Sequence, residues 1–162
     1  MRLLSSNSMT RSVLRGITLG AIALGVSATA TAQDPEEWFT LGGDFAHTRY
    51  SPADEITAEN FADLEVAWEW DGASFKAVSG RSTPSLIDGK LFTVAGNKRH
   101  VVAIDPKTGE TLWSYREPDT PRGEYSMRAD YGKGVGFARI DGRGVVYIAS
   151  PGFFLTALDA DT

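Results

Sequence analysis

Apolar and polar residues alternate along several short stretches of the chain, and turn signals separate the stretches. Pro84-Ser85-Leu86-Ile87 and Lys90-Leu91-Phe92-Thr93-Val94 flank Asp88-Gly89, while Ile140 and Arg143-Gly144-Val145-Val146-Tyr147-Ile148 flank Asp141-Gly142. An Asp-Gly pair between β-rich runs is a strong hairpin signal, because such turns need positive φ at their central positions. Asp105-Pro106-Lys107-Thr108-Gly109 predicts a second kind of turn. Its aspartate can accept from amides ahead of it, proline presets φ, and glycine takes the closing left-handed position. Two hairpins with alternating strands thus account for Ser82 to Tyr115. Leu64 to Trp70 alternates over part of its length and predicts a half-buried strand. Ile56 to Leu64, with Thr57 or Asn60 as a cap, predicts a short helical turn. Glu117 to Gly136 is rich in charge and glycine and predicts a long loop.

The pattern repeats. Ala157-Leu158-Asp159-Ala160-Asp161 follows Ala103-Ile104-Asp105-Pro106-Lys107 by 54 positions, and the two Asp-Gly pairs lie 53 apart. Short apolar strands recurring at about fifty residues predict an all-β chain of β-propeller blades, with two unrelated hairpins of a β-sandwich as the alternative. At that spacing the chain holds about two blades and a leading strand. Ala103 is small enough to let sheets approach, and Trp113 carries a large ring suited to the junction between neighbouring sheets.

The first 32 residues read as a secretory leader. Arg2, Arg11 and Arg15 form a basic start, Gly16 to Val26 is an apolar run too short to span a bilayer, and Ala30-Thr31-Ala32 fits a cleavage site. An uncleaved anchor is the alternative. Arg11 and Arg15 are separated, so general secretion is the simpler route. Residues 33–162 then form the exported part. Losing the leader lowers the basic residues from 16 to 13 against 21 acidic ones, a net charge of −8. Such a chain is a poor partner for nucleic acid or an anionic membrane surface. The sequence has no cysteine, which excludes disulfides and thiolate metal sites. No second apolar run is long enough to cross a membrane once the leader is removed.

Trp38-x-x-x-Gly42-Gly43-Asp44, Thr48-Arg49-Tyr50-Ser51-Pro52, Ile56-Thr57, Asn60, Leu64 and Ala67-Trp68 resemble the mature start of pyrroloquinoline-quinone (PQQ)-dependent dehydrogenases, the quinoprotein alcohol and glucose dehydrogenase family. Ser82-Thr83-Pro84 with Asp88-Gly89 is similar to their next segment. Ala103-x-Asp105-x-x-x-Gly109-x-x-x-Trp113 is similar to their blade-docking tryptophan motif, which non-enzymatic propellers share. The resemblance runs from Trp38 to Thr162. It implies the N-terminal portion of an eight-bladed periplasmic propeller that binds PQQ and calcium near its axis. It further implies oxidation of an alcohol or sugar hydroxyl, with the quinone accepting the hydride and a cytochrome or quinone as electron acceptor.

The catalytic aspartate and the calcium ligands of that family fall beyond Thr162, so no catalytic or metal residue is assigned here. Three cofactor contacts fall within the chain. The family glutamate before the Thr-Pro proline is replaced by Arg81, a cation that could bond a quinone carboxylate in another role. The family arginine corresponds to Lys133, which keeps the charge but loses the bidentate fork. A hydroxyl at the end of the next strand corresponds to Ser150. The adjacent cysteine pair of the alcohol-oxidising branch is absent, its place lying near Met127-Arg128. For each of the three, a polar side chain that simply faces water is the competing explanation. His47 and His100 are isolated and read as solvated loop residues, and Gly132 to Gly136 lacks the strand and helix of a phosphate loop.

The rival function is a non-catalytic propeller serving as a periplasmic binding or assembly scaffold, which Arg81 favours slightly. On either reading the 162-residue chain alone is expected neither to fold stably nor to oxidise a substrate, because a cut ring exposes apolar faces and unpaired strand edges. The leader gives a direct test. N-terminal sequencing of the exported protein should begin at Gln33, and a retained Met1 would refute the cleavage.

Overall fold

A computed structural model describes residues 37–76, 82–127 and 134–162. Seven strands form two antiparallel meanders. The first sheet runs β1 (Ser85–Ile87), β2 (Lys90–Ala95), β3 (His100–Ile104) and β4 (Thr111–Tyr115). The second runs β5 (Gly136–Ile140), β6 (Arg143–Ala149) and β7 (Leu155–Asp159). Both Asp-Gly pairs make the expected hairpins, with positive φ at Asp88, Gly89, Asp141 and Gly142 and the pairs Ile87↔Lys90 and Ile140↔Arg143 closing them. Trp38 extends the β1 edge by one bridge, exchanging both backbone hydrogen bonds with Leu86.

The core lies on both faces of β3. Alternate residues of a strand point to opposite sides, and here each side meets a different partner. Val101 and Ala103 face the second sheet, joining Ile87, Phe92, Val146, Ile148 and Ala160 in one buried cluster. Val102 and Ile104 face the other way, joining Ala95 in a cluster covered by Trp68, Trp70, Phe75 and Leu91. All four β3 positions from Val101 to Ile104 are therefore buried, which is why this strand reads as a continuous apolar run rather than an alternating one.

The two faces are closed in the same manner. Trp113, opposite Ala103 across a β-bulge, donates its indole N–H to the carbonyl of Ala160 at 3.3 Å, and its ring lies 5.8 Å from that of Phe92. Trp68 donates to the carbonyl of Pro106 at 2.9 Å. Pro106 and Ala160 are 54 residues apart, the repeat length, and each directly follows the turn aspartate. Trp68 thus stands to the first sheet as Trp113 stands to the second. Gly109 is required at this junction for two reasons. Its φ is +75°, and a Cβ there would lie 2.8 Å from the Trp68 ring.

Several local expectations are corrected. Leu64 to Trp70 is not a strand: it pairs with nothing among the described residues, and Leu64 and Val66 are exposed. What holds it is its tryptophans, Trp70 donating to Thr111 Oγ1 at 3.0 Å. The helical turn is a single 3₁₀ turn, Phe61–Asp63, which neither candidate caps by side chain. Asn60 instead accepts from the Thr57 amide and donates to the Glu55 carbonyl. The 117–136 loop contains a short helix, α1 (Pro121–Glu124), whose N-terminal amide at Gly123 is accepted by the Thr120 hydroxyl. His100 is not a loop residue. It opens β3, with its ring 5.2 Å from that of Phe75 and its Nδ1 donating to the Ala95 carbonyl at 3.3 Å.

Because Trp113 is half-buried in the junction, its replacement by alanine in the full-length protein should cost about 2–4 kcal/mol, less than a fully buried tryptophan. Urea denaturation measures this. A loss under about 1 kcal/mol would mean that the ring does not hold the two sheets together.

Candidate functional site

The meanders have two unlike ends. At one end stand the Asp-Gly hairpins and the turn from Asp105 to Glu110. Ion pairs tie the two sheets together there. Arg139 donates to Asp88 at 2.6 and 2.7 Å and to Glu37 at 2.8 Å, and Lys90 pairs with Asp161 at 2.6 Å. Each is a partly exposed pair of modest worth, but together they fill this end with satisfied charge.

At the other end the β2–β3 turn (96–99), the 116–127 loop and the β6–β7 turn (150–154) converge. They surround a cleft of about 530 Å³ whose lining includes Asn97, Lys98, Glu117, Thr120, Ser126 and Pro151. Asp119 at its rim is paired with Lys98 and lies 3.4 Å from Arg116. The hydrogen bond from Lys98 and the charge of Arg116 hold the Asp119 carboxyl below its usual range.

Ser150 sits at this end, just past β6, and is 3 % exposed. Its amide donates to the Phe154 carbonyl at 2.9 Å, its carbonyl accepts from Phe153 at 3.0 Å, and its hydroxyl oxygen accepts from the Phe154 amide at 3.3 Å. A hydroxyl that accepts in this way keeps its proton to donate. That suits an acceptor-rich, anionic ligand. The turn is clamped from the first sheet on either side of Ser150. Arg99 Nη1 donates to the Ala149 carbonyl at 2.8 Å, and Glu117 Oε2 accepts from the Gly152 amide at 3.1 Å.

Of the three cofactor contacts expected from the sequence, only Ser150 is placed. Arg81 and Lys133 lie outside the described residues, as do the leader and Arg128. Met127, beside the place of the missing cysteine pair, is 92 % exposed. Glu117 was not legible beforehand: within Arg116-Glu117-Pro118 it looks like a solvated loop charge, yet it is 6 % exposed. Among the described residues, no three His, Cys, Asp or Glu side chains gather where they could hold a metal ion. Nor is any described helix long and apolar enough to cross a membrane.

Residues 38–162 match the family described as PQQ: Glucose/ethanol/alcohol dehydrogenase, beta-propeller domain. The chain belongs to this family. It is 35% identical over 134 residues to the quinohemoprotein alcohol dehydrogenase of Comamonas testosteroni, covering 82% of this chain and 18% of that protein. The crystal structure of the Comamonas enzyme superimposes with a TM-score of 0.64 at 32% identity, covering 82% of this chain and 19% of that one. The 1-butanol dehydrogenase (cytochrome c) of Thauera butanivorans is 35% identical over 146 residues, covering 89% of this chain and 20% of that protein. The chain therefore spans about a fifth of the length of these relatives.

Membership accounts for the two meanders as propeller blades and for PQQ as the cofactor that the family name carries. The start of the matched region serves as scaffold. Asp44 accepts from the Thr48 amide at 3.0 Å and hydroxyl at 2.7 Å, and these bonds hold its carboxyl below the ordinary value. These quinoprotein signature residues staple a loop.

His100 gives this end of the blades a pH dependence. Burial holds its pKa below 6.5, the positive charges of Arg116 and Lys98 act the same way, and the Ala95 carbonyl opposes them. The unfolded chain therefore takes up the proton first as pH falls. Stability that is intact above pH 6.5 is lost as pH drops below that value and through the lower folded-state one. The urea midpoint of the full-length protein should fall between about pH 7.5 and about pH 5, with His100→Gln flattening the slope. An equal slope in the variant would show that His100 does not carry it.

Proposed function

We propose that this chain is the N-terminal part of a periplasmic quinoprotein dehydrogenase that oxidises alcohol or sugar hydroxyls with PQQ and calcium. The observation that carries the proposal is the family match, which extends from Trp38 through both blades. When bound, the quinone supplies the hydride acceptor and the protein supplies orientation and electrostatics. Ser150 would donate a hydrogen bond from its hydroxyl to a quinone oxygen, its own oxygen being held by the Phe154 amide. Lys133 contributes a positive charge to the quinone carboxylates, and Arg81 contributes a second one where the family has a glutamate. The catalytic aspartate and calcium ligands belong to segments beyond Thr162.

The names of the Comamonas and Thauera relatives favour an alcohol substrate and, for the second, a cytochrome acceptor. The absent cysteine pair keeps sugars in the proposal. The leader of residues 1–32 directs the protein to the periplasm. A non-catalytic scaffold is the second reading, and the exchange of glutamate for Arg81 is what favours it.

The test uses the full-length protein, purified without cofactor and then supplied with PQQ and calcium chloride. Dye reduction should appear with primary alcohols or aldoses only when both are present. No turnover with any hydroxyl donor despite saturable quinone binding would overturn the dehydrogenase reading in favour of the scaffold, and turnover without quinone would overturn the role of the cofactor.

A further inference from the structure

We propose that Glu117 is a positioning residue for Ser150, acting across the junction between the two blades. The inference rests on Ser150 as a quinone contact, as set out above. Glu117 leaves the end of the first sheet and is 6 % exposed, yet its carboxylate is only half used. Oε2 accepts from the Gly152 amide at 3.1 Å, while Oε1 is buried with no hydrogen-bond partner among the described residues. A buried carboxylate with an unsatisfied oxygen is a poor device for stability, since a well-packed apolar side chain of like volume is often as good or better. Its place here therefore points to geometry.

The geometry is specific. A Cβ on Gly152 would overlap Glu117 Oε1 and lie 3.2 Å from its Cδ and from Phe154 Cδ2, so the carboxylate lies against bare backbone and a larger residue at this position would push it away. The turn it holds is a closed unit. The Ser150 amide, carbonyl and hydroxyl oxygen are all engaged with Phe153 and Phe154, and Phe153 is held at φ 63°. Such a unit moves as one body. Its internal bonds fix the shape of the turn, and the contacts that reach it from outside fix its place. Glu117 at Gly152 and Arg99 at Ala149 bracket Ser150 from the preceding blade. Removing the carboxylate leaves the turn its shape but lets Ser150 drift from the cofactor, and displacements well under 1 Å matter in a preorganised site.

The test is a cycle of variants in the full-length protein, read by titrating the quinone-free form with PQQ in calcium chloride and by urea denaturation. Glu117→Leu should weaken quinone binding about tenfold while shifting the denaturation midpoint little. Glu117→Gln, which keeps an acceptor for the Gly152 amide, should restore most of the affinity. Ser150→Ala should weaken binding by itself, and Glu117→Leu added to Ser150→Ala should weaken it no further, because the two act through one contact. If Glu117→Leu does not fold, Gly152→Ala displaces the carboxylate with Glu117 intact, and the same loss and non-additivity are expected. Ser150→Ala without effect would overturn the role of Ser150 itself. A loss at Ser150 with unchanged affinity in Glu117→Leu or Gly152→Ala, or losses that simply add, would overturn the positioning role alone.

Discussion

An indole N–H donated to the carbonyl just past a turn aspartate holds each unit of this chain to the next. Among the described residues it occurs twice, from Trp68 to Pro106 and from Trp113 to Ala160, with the two acceptors one repeat length apart. A lone hydrogen bond of this kind contributes on the order of 1 kcal/mol. Its larger effect is to seat a ring that closes the apolar face beside it. Trp113 covers the cluster on one side of β3, and Trp68 covers the cluster on the other. Remove either ring and a fully buried strand becomes one with a wet face. The blades are thin, each sheet is too small to enclose a core of its own, and burial is shared across junctions.

That dependence also accounts for the apolar surface left over. Phe45, Tyr50, Val66, Phe153 and Leu155 are each more than two-thirds exposed. They lie on the leading segment and on the second sheet with its β6–β7 turn, faces that no described blade covers, while Tyr125 and Met127 are exposed on the 116–127 loop. The first sheet, flanked on both sides, has the complete core.

The repeat was legible in the sequence because its turns leave chemical signatures. Asp88-Gly89, Asp141-Gly142 and Asp105 to Gly109 each name their own backbone geometry, and all three formed as written. Leu64 to Trp70 failed for the opposite reason. Its alternation describes a surface ready to pair, but no strand among the described residues pairs with it, and its two indoles are what hold it. Ser150 was named as a cofactor contact only through resemblance, since nothing in its local sequence marks the buried turn that holds it. Glu117 could not have been found, since a charge between Arg116 and Pro118 carries no sign of burial. What buries it is Gly152, 35 residues away, and that contact exists only once two blades dock.

The docked blades divide their polar groups unequally between their two ends. The end with the Asp-Gly hairpins is filled by Glu37, Asp88, Arg139, Lys90 and Asp161, whose charges are spent on one another. The opposite end carries the cleft, the clamped Ser150 turn and the half-used carboxylate of Glu117. A crystal structure of the full-length protein with PQQ and calcium bound measures this division directly. The account predicts Ser150 Oγ within about 3 Å of a quinone oxygen, at the end of the blades bearing the β2–β3 and β6–β7 turns. A quinone seated at the Asp-Gly end, or one that leaves Ser150 out of hydrogen-bond reach, would contradict it.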